Sequence, residues 1–89
     1  MKNAKLNPQM NNENKFILSD FYLAAFCLVK GFKLLDIDKA NPRRALFVFQ
    51  DKESRQSLVE DFLFGRAEVN PKEFAAAIKE LKQLLYSEL

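Results

Sequence analysis

Nine consecutive residues, Phe21 to Val29, carry no charge and form the longest apolar run of the chain. With Ser19 as the N-cap and Gly31 as the C′ residue, the run predicts a helix that extends to Lys30. A helix that is apolar almost all round has no face for water, so it must be buried. In a chain of 89 residues, the other elements then have to be arranged around it.

The aromatic content strengthens that constraint. The chain has nine phenylalanines among its 89 residues, together with two tyrosines and no tryptophan. Each buried ring removes roughly 150–250 Å² from water, and a single domain of this length buries only about 65% of its unfolded surface. We therefore expect one small core and more apolar surface than that core can hold.

Two short runs of β-forming residues follow the helix, Phe32 to Ile37 and Ala45 to Phe49. The segment between them has turn chemistry at Asp38 and at Asn41-Pro42, so an antiparallel hairpin is predicted. Because strand side chains alternate, both faces of this hairpin are apolar and both need a cover. The predicted faces are Phe32 and Leu34 opposite Leu35 and Ile37, and Phe47 and Phe49 opposite Leu46 and Val48.

Two more helices are predicted after the hairpin. Asp51 is the expected N-cap of the first, which ends at Gly65. Asn70-Pro71-Lys72-Glu73 starts the second, which runs to about Ser87, because it combines an N-cap, Pro at N1 and Glu at N3. Ala67 to Val69 adds an optional short strand between them. Each helix has one apolar stripe: Leu58, Val59, Phe62 and Leu63 in the first, and Phe74, Ile78, Leu81 and Leu85 in the second.

This order, α-β-β-α-(β)-α, predicts an α+β fold: a small single domain, residues 15–89, in which an antiparallel hairpin packs with three helices. Residues 1–14 contain five asparagines and only three large apolar side chains, Met1, Leu6 and Met10. Such a segment buries too little surface to offset its ordering entropy, so a flexible N-terminal tail is predicted. The alternative is an arm that orders on a partner.

Composition argues against several kinds of chemistry. The chain has no histidine, one cysteine and two glycines, which removes Ser-His and Cys-His pairs, internal disulfides and glycine-rich phosphate loops. Cys27 lies in the apolar run and is expected to be a small buried hydrophobe. Asp36-Ile37-Asp38 has the carboxylates for Mg²⁺, but a strand exit with Asp38 starting the turn explains it better. No catalytic residue, metal site or cofactor is predicted, and we expect the protein not to be an enzyme.

No targeting signal is recognisable near the N-terminus. Lys2 and Lys5 are followed by a polar stretch and not by an apolar one. The run from Phe21 to Val29 is far shorter than the roughly 20 residues of a membrane span. Since a single cysteine also fits a reducing compartment, a cytoplasmic protein without membrane contact is expected.

Five blocks of core, cap and turn residues are distinctive in combination: Ser19 to Phe26, Lys30 to Leu34, Phe47 to Phe49, Val69 to Phe74, and Leu81-Lys82. Together they resemble an uncharacterised prokaryotic family, the domain of unknown function 5659, over about Lys15 to Tyr86. The resemblance implies a free-standing small bacterial or archaeal domain. It carries no activity, so it implies no catalytic or binding residue.

The folded part has one basic cluster, at the tip of the predicted hairpin. Lys39, Arg43 and Arg44 surround the Asn41-Pro42 turn, and Lys33 lies on an adjoining strand. With the phenylalanines of the second strand behind them, these four cations are candidates for binding single-stranded nucleic acid. The formal net charge of +2 is mild, and two aspartates lie beside the cluster, so solvated turn charges are the alternative.

Two functions from different classes remain. The first is a non-enzymatic interaction module that associates with itself or docks on a protein partner through its surplus apolar surface. The second is weak binding of single-stranded nucleic acid through the basic tip. We favour the first, because residues 32–50 carry only four basic side chains against two acidic ones.

Overall fold

The computed structural model describes residues 14–87, which form one three-stranded sheet and three helices. In chain order the elements are β1 (Lys15–Leu18), α1 (Phe21–Val29), β2 (Leu34–Asp38), β3 (Leu46–Gln50), α2 (Arg55–Leu63) and α3 (Pro71–Leu85). The predicted α+β class, the antiparallel hairpin and the three helices are confirmed. Residues 1–13, which make up most of the predicted flexible tail, lie outside the described residues.

The strand β1 is an addition to the predicted fold. It pairs antiparallel with β3, so the sheet order is β1-β3-β2 with β3 in the centre. Phe16 of β1 lies opposite Phe49 of β3, and both side chains are buried. Their rings stack with centroids 5.4 Å apart. β1 and β2 are therefore the two edge strands of the described sheet.

A bulge in β2 overturns the predicted faces of the hairpin. The register shifts between Leu34 and Asp36, so Leu34 and Ile37 each pair with a buried phenylalanine of β3. A bulge inserts one extra residue and reverses the alternation beyond it. The prediction that Leu34 and Ile37 lie on opposite faces is therefore wrong. Because Ile37 turns toward the core, the outer face of β2 carries Asp36 and Asp38 and is not apolar.

Local hydrogen bonds define both ends of α1. The N-cap is Asp20 and not the predicted Ser19, and its carboxylate accepts from the N–H groups of Tyr22 (2.9 Å) and Leu23 (3.1 Å). A carboxylate makes stronger hydrogen bonds to these N–H groups than a hydroxyl does. At the other end, Gly31 has the predicted positive φ, +90°. The two N–H groups after the C-cap donate to carbonyls of the last turn, as in a Schellman motif.

Helix α1 lies at the centre of the fold, with Leu23 to Cys27 all buried. The ring of Phe26 contacts that of Phe62 in α2, with centroids 5.5 Å apart. The sheet and α3 contribute further core residues around it: Phe16, Phe47 and Phe49, and Ala77 and Leu81. Tyr22 is 56% exposed, and the rest of the apolar run is buried or half-buried within a single chain.

Helix α2 begins later than predicted. Its N-cap is Ser54, whereas Asp51 makes two hydrogen bonds of 3.1 Å to the guanidinium of Arg55. Asp51 Oδ1 also accepts from the N–H of Lys52 at 2.8 Å, so this carboxylate is engaged just after β3. The guanidinium also lies over the Phe16 ring, 5.4 Å from its centroid. The helix ends at the predicted glycine, Gly65, which has φ +76°.

Helix α3 starts as predicted. Asn70 accepts from the N–H groups of Lys72 (2.9 Å) and Glu73 (3.1 Å), with Pro71 in the first turn. The helix ends at Leu85, two residues before the predicted end. The optional strand at Ala67 to Val69 does not form, since that segment pairs with no strand of the described sheet. Its two apolar side chains instead pack against the core from a loop.

Candidate interaction surfaces

The loop between β2 and β3 holds three of the predicted nucleic-acid-binding cations, and two of them make hydrogen bonds within the molecule. Lys39 Nζ donates to the carbonyl oxygens of Leu84 (3.3 Å) and Ser87 (2.9 Å) at the end of α3. A cation at this position complements the negative end of the helix dipole. Arg44 Nη2 donates to Ser19 Oγ at 3.2 Å. Both cations therefore connect the loop to other elements.

The other two predicted cations, Arg43 and Lys33, lie in different parts of the fold. Arg43 is exposed in the loop, where its backbone N–H donates to Asn41 Oδ1 at 2.9 Å and shapes the turn. Lys33 precedes β2, at the opposite end of the strand from Lys39. At about 3.3 Å per residue, the backbones of Lys33 and Lys39 are about 20 Å apart along the strand. The fold thus brings Lys39, Arg43 and Arg44 together and leaves Lys33 outside the loop.

An aromatic side chain lies beside this loop, and sequence reasoning missed it. Tyr86 follows α3 and is 75% exposed. Together with Pro42, Arg43 and Arg44, it lines a cleft of about 370 Å³. The packing of α3 against α1 and the hydrogen bonds from Lys39 place the end of α3 beside the loop, so no local sequence signal pointed to Tyr86.

A second surface follows the β2 edge. Leu35 in the bulge is 41% exposed, and Leu84 of α3 is 42% exposed. With Leu34 and Ile37, they line a groove of about 360 Å³ between the strand and the end of α3. Asp36 and Lys39 also line this groove, so its apolar surface is bordered by one carboxylate and one cation.

A third surface consists of the β1 edge and the adjoining outer face of the sheet. Ile17 is 59% exposed and pairs with Val48 of β3. The N–H of Asp51 donates to the carbonyl of Asn14 at 2.6 Å, one pair beyond Lys15. Because hydrogen-bonded pairs alternate in an antiparallel ladder, the N–H and C=O groups of Lys15 and Ile17 point away from β3. This edge offers backbone groups beside an exposed apolar side chain.

An apolar corner lies at the end of α2. Leu63 and Phe64 are both largely exposed there. Leu63 is a member of the predicted apolar stripe of α2 but is exposed, whereas Phe62 of the same stripe faces α1. Arg66 lies over the ring of Phe64, 5.4 Å from its centroid, and covers one face of it.

Asp36 and Asp38 accept local backbone hydrogen bonds, and Cys27 is buried in the core. Asp36 Oδ1 accepts from the N–H of Ile37 and Asp38 Oδ1 from the N–H of Ala40, which is the predicted strand exit. Burial raises the pKa of the Cys27 thiol to about 11, as expected of a buried hydrophobe.

Among residues 14–87 there is no group of three or more potential metal ligands. No helix in that range is long and apolar enough to cross a bilayer.

The comparison with protein families covers nearly the whole chain. The profile of a family described as Domain of unknown function (DUF5659) matches residues 13–87. That range includes every strand and helix of the described fold. The chain belongs to this family. No curated protein and no solved structure matches it.

Membership in DUF5659 identifies no functional site. The blocks that carry the resemblance contain the α1 cap Asp20, the C′ residue Gly31 and the core strand Phe47 to Phe49. Ile17 and Tyr86, the exposed residues of two candidate surfaces, lie outside those blocks. Any function must therefore be argued from the surfaces themselves.

Proposed function

We propose that this DUF5659 domain is a non-enzymatic interaction module that associates with itself or docks on a protein partner. The supporting observation is that both edge strands of its sheet carry exposed apolar side chains, Ile17 on β1 and Leu35 on β2. An edge strand presents unpaired N–H and C=O groups that can pair with another chain. Apolar side chains beside such groups add the burial that stabilises an interface.

The state of the core supports the same proposal. Phe26, Phe47 and Phe49 are each at most 2% exposed, so the core is well buried within one chain. The exposed apolar residues are therefore not members of an open core that needs a second chain to close it. They lie on the surface of a closed fold, where contact with a partner would remove them from water and stabilise the complex.

The setting included in this proposal is the cytoplasm of a prokaryotic cell. Cys27 is a free, buried thiol. A chain that folds around a reduced cysteine fits a reducing compartment. The DUF5659 resemblance implies the prokaryotic origin.

Light scattering on the full chain tests self-association. We expect the mass to rise from 10.3 kDa toward twice that value between low and high micromolar concentration, and to fall again on dilution. Because the contact is mainly apolar, high salt should leave the association intact. A mass of 10.3 kDa at every concentration would exclude self-association and leave docking on another protein.

A second candidate function is weak binding of single-stranded nucleic acid at the β2–β3 loop. Tyr86 favours it, because an exposed ring beside Arg43 offers base stacking next to a charge for phosphate. The hydrogen bonds of Lys39 and Arg44 to other elements weigh against it, since those cations are already engaged. We therefore rank it second.

A further inference from the structure

We propose that two copies of this chain pair edge to edge through β1, which joins their three-stranded sheets into one sheet of six strands. The inference rests on the proposed function and names the interface that self-association would use. It follows from a difference between the two edges of the sheet, because the β2 edge is interrupted and acidic and the β1 edge is neither.

The β2 edge has three protective features. A bulge interrupts its register between Leu34 and Asp36, and bulges turn an edge away from a straight partner. Asp36 and Asp38 place two carboxylates on the strand, so antiparallel pairing of β2 with its own copy about Asp36 would set like charges opposite each other. The end of α3 also lies alongside, with Leu84 across the groove from the strand.

The β1 edge lacks these features within residues 15–18. Its register with β3 is unbroken from Lys15 to Leu18, and it carries no acidic residue. Ile17 is the exposed apolar side chain of this strand. The outward N–H and C=O groups of Lys15 and Ile17 are in the positions that a new strand would use. The β1 edge is thus regular and free of carboxylates, with Lys15 and Ile17 as its exposed side chains.

A twofold antiparallel pair of β1 strands fits this edge when Ile17 lies opposite Ile17 of the second copy. The outward N–H of Ile17 in each copy then donates to the C=O of Ile17 in the other, so the two residues form a hydrogen-bonded pair. Phe16 lies opposite Leu18 of the second copy, so core-facing residues stay on one side and both sets of helices cover the same face of the joined sheet. The same surface is used on both copies, as a closed dimer requires.

Charge distinguishes the two edges. In this register Lys15 lies opposite Ser19 of the second copy, whose Oγ accepts a hydrogen bond from Arg44, so no side chain of β1 meets the same charge on its own copy. Pairing of β2 with its own copy would instead set carboxylate opposite carboxylate. A strand of four residues gives a small interface, so the dimer is weak and dissociates on dilution.

Charge-swapped variants of the full chain test the register. Because residue 17 faces its own copy, Ile17→Lys places two like charges opposite each other and removes the apolar pair. We expect its dimer to be about tenfold weaker or more. Ile17→Glu should also dimerise less than the wild type. An equimolar mixture of the two should associate more strongly than either variant alone, measured by sedimentation velocity at low salt.

Leu35→Lys is the matched control, because it changes an exposed apolar residue of the other edge. It should dimerise like the wild type, and circular dichroism should show that every variant is folded. A wild-type dimer that survives both Ile17 changes, or that Leu35→Lys dissociates, would overturn the β1 interface and leave the proposed function standing. A wild-type monomer at all concentrations would overturn the interface and self-association together.

Discussion

Among single residues, Cys27 links the stability of the core to pH. Burial in α1 raises the pKa of its thiol from 9.0 to about 11. Between these values the unfolded chain releases a proton that the folded protein retains, so the thiol's contribution to stability is full below pH 9 and falls as the pH rises toward 11. We expect the free energy of unfolding in urea to lose about 2 kcal/mol from this group between about pH 8 and pH 11.

Cys27→Ala is the control for that measurement, because lysines and tyrosines titrate in the same range. The variant removes the thiol and leaves a small cavity, whose cost of about 1 kcal/mol does not depend on pH. Its stability should therefore decline less steeply above pH 9 than that of the wild type. Parallel curves for the two proteins would show that the thiol contributes no pH dependence.

At the scale of elements, the sequence predicted what local contacts determine and missed what distant contacts determine. The ends at Gly31, Gly65 and Asn70 depend on hydrogen bonds within a few residues, and they are where the patterns predicted them. Strand β1 was missed because four residues carry little periodicity and its partner β3 is distant in the chain. The bulge before Asp36 was missed because a register shift leaves no mark on composition. Tyr86 was missed for the same reason as β1, since its position depends on how α3 packs.

Arg55 of α2 contacts Phe16 of β1 and Asp51, the residue after β3, and its replacement tests these contacts between elements. Its guanidinium holds the pKa of Asp51 below the ordinary value, chiefly by their side-chain hydrogen bonds. The pair therefore stabilises the fold at neutral pH and stops doing so as the pH falls through that lowered pKa. Because the guanidinium is partly exposed, we expect Arg55→Ala to cost about 1 kcal/mol, including its contact with the Phe16 ring.

A matched variant separates this role from that of an ordinary surface ion pair. Arg66 pairs with Asp61 at 3.4 Å, and both side chains are more exposed than those of Arg55 and Asp51. Arg66→Ala should therefore cost less than about 0.5 kcal/mol in the same urea denaturation at neutral pH. Equal costs for the two variants would show that the contacts of Arg55 with Asp51 and Phe16 stabilise the fold no more than an ordinary surface ion pair.

Charge is unevenly distributed over the molecule, which bears on the binding of a polyanion. Residues 32–50 carry four basic and two acidic side chains, and residues 51–65 carry two basic and four acidic ones. A polyanion would meet the first region favourably and be repelled by the second. Such a field steers a charged partner but binds it weakly. Specific affinity would have to come from contacts in the cleft beside Tyr86.

The double variant Arg43→Ala, Arg44→Ala tests nucleic-acid binding by fluorescence anisotropy on a short single-stranded oligonucleotide. If the loop neutralises about three phosphates, the logarithm of the wild-type affinity should fall with the logarithm of salt with a slope near −2, and the double variant should lose most of the binding. Lys33→Ala removes a cation from outside the loop and should change the affinity little. Tyr86→Leu should weaken binding without changing the slope, because stacking releases no counterions. No binding by the wild type at low salt, or equal binding by the double variant, would mean that the loop cations serve the fold alone, and the sheet edges would then remain as the interaction surfaces.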